Sequence, residues 1–139
     1  MDQMMTGGCA CGAIRFECDG EPMHMGNCHC RDCQRATGGP YFPATIYPTE
    51  NFTLLQGEPN WFEKKSDGGD TVGRAFCGEC GSPMFFVNQS APHIYAIYAT
   101  AFDDPTFYKA VDDIFVSSAQ EWNPRDLNIP QFERSPKRS

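Results

Sequence analysis

The sequence predicts a single, mainly β domain of short antiparallel strands stapled by metal. Three observations predict it. Short runs of apolar–polar alternation recur roughly every 8–12 residues, the spacing of antiparallel β domains. Thirteen glycines and eleven prolines separate those runs, and eleven Phe and five Tyr enrich the chain in strand formers. Eight cysteines fall in clusters whose spacing suits metal ions.

Taken in order, Ala13-Ile14-Arg15-Phe16-Glu17-Cys18 alternates as a half-buried strand does. Further strands are predicted over 41–47, 52–55, 61–63, 72–76, 84–87 and 94–99, with a last one at Ile114-Phe115-Val116. Gly38-Gly39-Pro40, Gln56-Gly57-Glu58-Pro59 and Ser66-Asp67-Gly68-Gly69-Asp70 supply the turns between them. Only two stretches invite helix: Arg31 to Thr37, closed by Gly38, and Pro105 to Val111. From Asn123 the composition turns to Pro, Arg, Asn and Ser, so residues 1–122 are expected to form the domain. Residues 123–139 are expected to be a surface arm or disordered end.

The 139 residues suffice for one sizeable core. The formal net charge of −7 and the lack of a Lys/Arg block argue against a nucleic-acid partner, which needs a basic face to displace counterions from phosphate. Met1-Asp2-Gln3-Met4-Met5-Thr6-Gly7-Gly8 does not read as a signal peptide, and no apolar run approaches the ~20 residues of a membrane span. The expected compartment is the cytosol, where thiols stay reduced and clustered cysteines bind metal in preference to forming disulfides.

The cysteines fall as Cys9-x-Cys11, Cys18 alone, Cys28-x-Cys30-x-x-Cys33 and Cys77-x-x-Cys80. Gly12 and Gly81 follow two of these groups, and such glycines let the chain fold back so that backbone amides point at sulfur. Cys9, Cys11, Cys77 and Cys80 would make one closed Cys₄ site joining distant segments. Cys28, Cys30 and Cys33 then remain, and three thiolates leave a fourth position open, as in catalytic zinc sites. Two other readings stand beside this one. Cys18, His29 or His24 could close the second site, or Cys30-x-x-Cys33 could do disulfide or redox chemistry. Cys18 fits neither cluster by spacing and suits a small buried position on its strand.

Three segments carry a resemblance: Gly8-Cys9-Ala10-Cys11-Gly12, Cys28-His29-Cys30-Arg31-Asp32-Cys33-Gln34-Arg35, and Arg74-Ala75-Phe76-Cys77-Gly78-Glu79-Cys80-Gly81-Ser82. In order and spacing the chain resembles the glutathione-dependent formaldehyde-activating enzyme and centromere protein V family over roughly residues 7–122. The resemblance implies a β-tent fold and two zinc ions per chain. One would be structural, at Cys9, Cys11, Cys77 and Cys80. The second, at Cys28, Cys30 and Cys33, would be catalytic. The implied activity is condensation of glutathione with formaldehyde to S-hydroxymethylglutathione, formally a carbon–sulfur lyase in reverse. The chain departs from the family's pattern at Gly38-Gly39-Pro40 and at Phe102-Asp103. The resemblance therefore supports the zinc sites more strongly than the substrate.

A thiolate-rich zinc prefers a thiol as fourth ligand and lowers its pKa, so glutathione could arrive as a nucleophilic thiolate. Polarisation of the carbonyl by zinc is the weaker option, because three cysteinates reduce its Lewis acidity. Glutathione is an anion, and Arg31, Arg35, Lys64, Lys65 and Arg74 are the candidate cations; Arg35, Lys64, Lys65 and Arg74 are the candidate substrate contacts. His29 is expected to turn away from the metal between its two ligating neighbours. His24 and His93 are expected to pack within strands, and Tyr41-Phe42, Trp61-Phe62 and Phe85-Phe86 to form core or pocket wall. Two alternatives from other classes remain. One is a non-catalytic zinc-stabilised interaction module. The other is a redox enzyme resembling β-tent methionine sulfoxide reductases, with Cys18 as nucleophile.

Overall fold

The computed structural model describes residues 3–66 and 68–135. A three-stranded sheet joins β1 (Met4–Gly8), β2 (Arg15–Asp19) and β5 (Phe52–Gln56) in that order, both pairings antiparallel. The larger sheet is built from β3 (His24–Cys28), β4 (Phe42–Pro48), β6 (Asn60–Lys65), β7 (Thr71–Phe76), β8 (Pro83–Asn88), β9 (Ile94–Tyr98) and β10 (Asp113–Ile114). Its order is β10-β3-β4-β9-β8-β7-β6, antiparallel throughout except for the parallel pair β10 and β3. The one α-helix among the described residues, α1 (Arg31–Thr37), follows closely on the end of β3. The protein is mainly β, as its sequence predicts, and each expected strand region except the last is matched within a few residues.

Two strands go unseen in the sequence because glycine lowers their strand signal for reasons of contact. In β1 a Cβ at Gly7 would collide with the Ala101 carbonyl oxygen, where Gly7 bridges to Phe102. In β3 a Cβ at Gly26 would strike the Asp112 carboxylate. Two other expectations fail. The helix expected over Pro105 to Val111 is a single 3₁₀ turn, Pro105–Phe107, started by the Asp104 side chain accepting from Thr106 N. The last strand stops at Ile114, because Phe115 takes the left-handed conformation (φ 56°), which ends pairing and starts a 3₁₀ turn at Val116–Ser118.

The core lies between the sheets and is largely aromatic. Phe16, Phe42 and Tyr47 are fully buried. Phe16 stacks on Phe52 at 5.3 Å and meets Phe102 edge-on, while Phe52 reaches Phe85 at 4.9 Å, so one aromatic chain links the two sheets. The Tyr47 hydroxyl donates to the Gly20 carbonyl, which satisfies its polar end. Beyond Asn123 the chain returns to β10: Asp113 N donates to Pro130 O, and Phe132 N donates to Asp113 O. The end of the expected arm, 136–139, lies outside the described residues. Among those residues no helix is long and apolar enough to cross a membrane.

Candidate metal centres and active site

Two turns of similar construction build the first centre. β1 runs into Cys9, and Gly12 N closes a turn on Cys9 O; β7 runs into Cys77, and Gly81 N closes a turn on Cys77 O. Gly12 and Gly81 both hold left-handed backbone (φ 81° and 78°) one residue after the second cysteine of their pair. The folded-back backbone then aims amides at sulfur, with Ile14 N donating to Cys9 Sγ and Glu79 N to Cys77 Sγ. Ser82 Oγ accepts from Ala10 N and clips the two turns together.

The four sulfurs of Cys9, Cys11, Cys77 and Cys80 lie within 4.8 Å of one another. Cys9 to Cys11 is 3.7 Å and Cys11 to Cys77 is 3.8 Å. A tetrahedron of thiolates about 2.3 Å from a central ion has edges of about 3.8 Å, so the spacing fits a four-coordinate ion. Contacts from Ser82 hold the Cys80 thiol down to about 5.

The second centre is made by one short turn. β3 delivers Cys28, paired to Ile114 of β10, and Cys30 is the N-cap of α1, its sulfur accepting from Cys33 N at 3.2 Å. The first turn of α1 carries Cys33, so three sulfurs converge within 4.8 Å. Cys28 and Cys33 are buried and Cys30 is partly exposed, which makes Cys30 the open side. Contacts from the Cys28 and Cys33 thiols, then the Cys33 amide and Arg74, draw the Cys30 thiol down to about 2. Its thiolate in turn pushes the Cys28 thiol up. So much sulfur in one turn calls for a cation at its centre.

None of the three residues that could close this centre joins it. His29 turns away, as its alternation predicts, and its Nε2 meets Asp113 Oδ1 at 2.8 Å. His24 Nε2 meets Asp112 Oδ1 at 3.1 Å. Cys18 is fully buried on β2, and burial pushes its thiol up to about 12, contrary to what a nucleophile requires. The other expected packing histidine, His93, is instead exposed in the turn before β9, where its carbonyl accepts from Thr49 N.

The candidate cations separate. Arg74 on β7 reaches the centre: its Nη2 lies 3.9 Å from Cys33 Sγ, and its guanidinium sits 5.0 Å above the Phe86 ring. Lys64 on β6 pairs with Asp32 of α1 at 2.9 Å, which ties the edge strand to the helix. Arg31 bonds the Gln34 side chain, while Arg35 and Lys65 are exposed on the last turn of α1 and the end of β6.

Sequence reasoning missed Asp113, Gln34 and Tyr98, while Tyr41, expected as core or pocket wall, does line a cleft. Gln34 is buried, and its Nε2 donates to His29 O and Ser118 O, fixing the turn from behind. The Tyr41 ring lies 5.4 Å from that of His29. A cleft of about 430 Å³ opens beside the turn, lined by Thr37, Tyr41, Pro43 and Tyr98 among others. A second, of about 420 Å³, runs past Cys9, Arg15 and Asp103 and shares Pro83 and Thr100 with the first. Asp113 alone left a signal, an acidic pair inside the apolar run 111–116, where a carboxylate needs buried partners.

A profile of the glutathione-dependent formaldehyde-activating enzyme family matches residues 4–118. The chain belongs to that family. A relative from Halomonas elongata, described as "Putative glutathione-dependent formaldehyde-activating enzyme", is 25% identical over 104 residues, which is 72% of this chain. The chain spans 66% of that relative's length. A crystal structure of a Rhodobacter sphaeroides protein aligns over 92% of this chain and 99% of its own, with a TM-score of 0.57 and 22% identity, and shares the fold. The family match takes in both cysteine clusters, Arg74 and Asp113.

Proposed function

We propose that the Cys28/Cys30/Cys33 cluster holds a zinc ion with one exchangeable position. That position takes a thiol, glutathione or a close analogue, for addition to formaldehyde or another small electrophile. The Cys9/Cys11/Cys77/Cys80 cluster holds the second zinc and serves the fold. The observation that carries this reading is the unequal donor count: four sulfurs in one cluster, three in the other, with His29 and His24 engaged elsewhere.

Zinc among three thiolates lowers the pKa of a bound thiol and leaves its sulfur nucleophilic. The chain's own residues do the rest. Cys30 holds α1 at its start, and the His29–Asp113 pair with Gln34 keeps the turn in one geometry. Tyr41 and Tyr98 line a cleft at the end of α1, the proposed approach for the substrates, although none of the three cysteines lines it. A C–S bond forms at the carbonyl carbon and the oxygen gains a proton, so the reaction is a carbon–sulfur lyase step in reverse and needs no oxidant. Arg35, Lys64, Lys65 and Arg74 are the proposed substrate contacts, with Arg74 nearest the chemistry. The proposed compartment is the cytoplasm, which keeps the seven thiols reduced and supplies glutathione.

Cobalt-loaded protein tests the reading. Glutathione should add thiolate charge-transfer absorption, and S-methylglutathione should bind far more weakly because a thioether cannot become an anionic ligand. A response to glutathione but not to 2-mercaptoethanol would favour a dedicated peptide pocket. A response to both would keep thiol chemistry with a different thiol. Silence with every thiol, at two metals per chain, would sink the reading and favour a zinc-stabilised interaction module.

A further inference from the structure

The four-sulfur centre has an inner and an outer half. Each of its two turns contributes one buried cysteine, Cys9 and Cys77, and one exposed cysteine, Cys11 and Cys80. The buried sulfurs accept amide donors, Ile14 N at 3.3 Å and Glu79 N at 3.4 Å. The exposed sulfurs come from different turns, which Ser82 Oγ clips together by accepting from Ala10 N, and they lie within 4.8 Å of each other. The three-sulfur centre has no such pair. Cys30 is partly exposed there, while Cys28 and Cys33 are both buried.

We infer that Cys11 and Cys80 form an oxidation site, at which a peroxide converts the two thiolates into a disulfide and opens the metal cage. The inference goes beyond the thiol-addition reading and rests only on metal being held at both clusters. A thiolate that holds a metal is already deprotonated, so access decides which sulfur a peroxide meets first. In the step, one exposed sulfur attacks a peroxide oxygen, the O–O bond breaks, and the departing hydroxide takes a proton to become water. The second exposed sulfur then attacks the sulfenic acid so formed. The S–S bond forms, the S–O bond breaks, and a second hydroxide takes a proton and leaves as water. The two sulfurs together lose two electrons, and the peroxide gains them. The sulfurs close from within 4.8 Å to about 2 Å, a shift open to two exposed side chains. Two thiolates remain, too few for a closed cage. The new bond joins the same two turns, so the sheets stay stapled after the metal has gone. At the other centre a sulfenic acid on Cys30 would face only buried partners. Chelators and peroxides therefore strip the two centres in opposite order, since a chelator enters through an open coordination position and a peroxide through exposed sulfur.

The test adds hydrogen peroxide in stoichiometric amount to the two-metal protein, with three readouts. Metal per chain is measured by elemental analysis after desalting. The state of each cysteine is read by alkylation and non-reducing peptide mapping, and the fold by near-UV circular dichroism. One metal should leave and a Cys11–Cys80 cross-link should appear, with Cys28, Cys30 and Cys33 oxidised about 10-fold more slowly. The near-UV signal should persist, and dithiothreitol with zinc should restore the lost metal. Oxidation of Cys28, Cys30 and Cys33 within about 3-fold of the rate at Cys11 and Cys80 would overturn the inference. So would a Cys77–Cys80 or Cys30–Cys33 disulfide as the first product, or collapse of the near-UV signal as the metal leaves. A chain whose Cys11 and Cys80 are metal-free before peroxide is added would overturn the metal assignment at this centre, and this inference with it. The response of the cobalt-loaded protein to thiols is read separately, so failure of the thiol-addition reading would leave the peroxide result standing.

Discussion

His29 lies between two sulfur donors in sequence, yet its Nε2 bonds Asp113 Oδ1 at 2.8 Å with both side chains almost wholly buried. The pair anchors the Cys28–Cys33 turn to β10, and Gln131 from the C-terminal segment donates to the other carboxylate oxygen, Oδ2. A segment remote from the cysteines thus helps to fix the metal turn.

D113N should leave these buried donors mispaired and cost about 3 kcal/mol. Burial raises the Asp113 pKa, but hydrogen bonds from His29, Gln131 and Asn27 outweigh it and hold the carboxyl below its usual value. The stabilisation is therefore complete above the unfolded carboxylate pKa, ~4, and is lost as pH falls through the lower folded value. Urea unfolding at pH 7 and below pH 4 should show a gap between parent and variant that narrows in acid. An equal gap at both would contradict the assignment.

Cys77→Ser breaks the four-sulfur cluster. Cys11 and Cys77 are 66 residues apart, so losing the centre frees a long loop and costs several kcal/mol. The variant should be insoluble or melt at markedly lower temperature. Retention of both metals and an unchanged Tm would remove the structural role.

Mild chelation should take about one metal equivalent while the fold persists, because three ligands with an exchangeable fourth hold zinc less firmly than a closed cage. Near-UV circular dichroism reads the fold. Loss of two equivalents together with that signal would contradict the division of labour.

Arg15 and Asp103 make a surface contrast. The Arg15 hydrogen bond, helped by Thr6, holds the Asp103 carboxyl down to about 2. Both side chains remain a third to a half exposed (34% and 48%), so D103N should cost less than ~1 kcal/mol at pH 7. That small difference should disappear as pH falls from about 4 towards 2. A larger cost would mean that the neighbouring cleft depends on the pair.

Iodoacetamide should leave Cys18 unmodified in the native protein and modify it after unfolding, since burial keeps its thiol protonated. Rapid native labelling would revive the redox alternative.

The cysteine clusters were legible in the sequence because metal geometry demands short spacings, which Cys28-x-Cys30-x-x-Cys33 displays directly. Most strands were legible through alternation and flanking turns. β1 and β3 were not, since Gly7 and Gly26 owe their identity to Ala101 and Asp112, residues far along the chain. The partners of His29 were hidden for the same reason, as Asp113 lies 84 residues away. Arg74 stood out only as one cation among several until the β7–β8 register set it beside Phe86 and over Cys33.

The four-sulfur centre also bears on how the protein is born. Cys9 and Cys11 leave the ribosome after a single strand, whereas Cys77 and Cys80 follow only when seven have been made. While the segment from Cys11 to Cys80 is being made, the nascent chain carries two of the four sulfurs and no completed cage. Under the proposed metal assignment, ion supply at that moment decides whether the two turns are joined or their thiols stay open to oxidation. A shortage of the ion would then cost this protein during its manufacture, before the finished fold is reached.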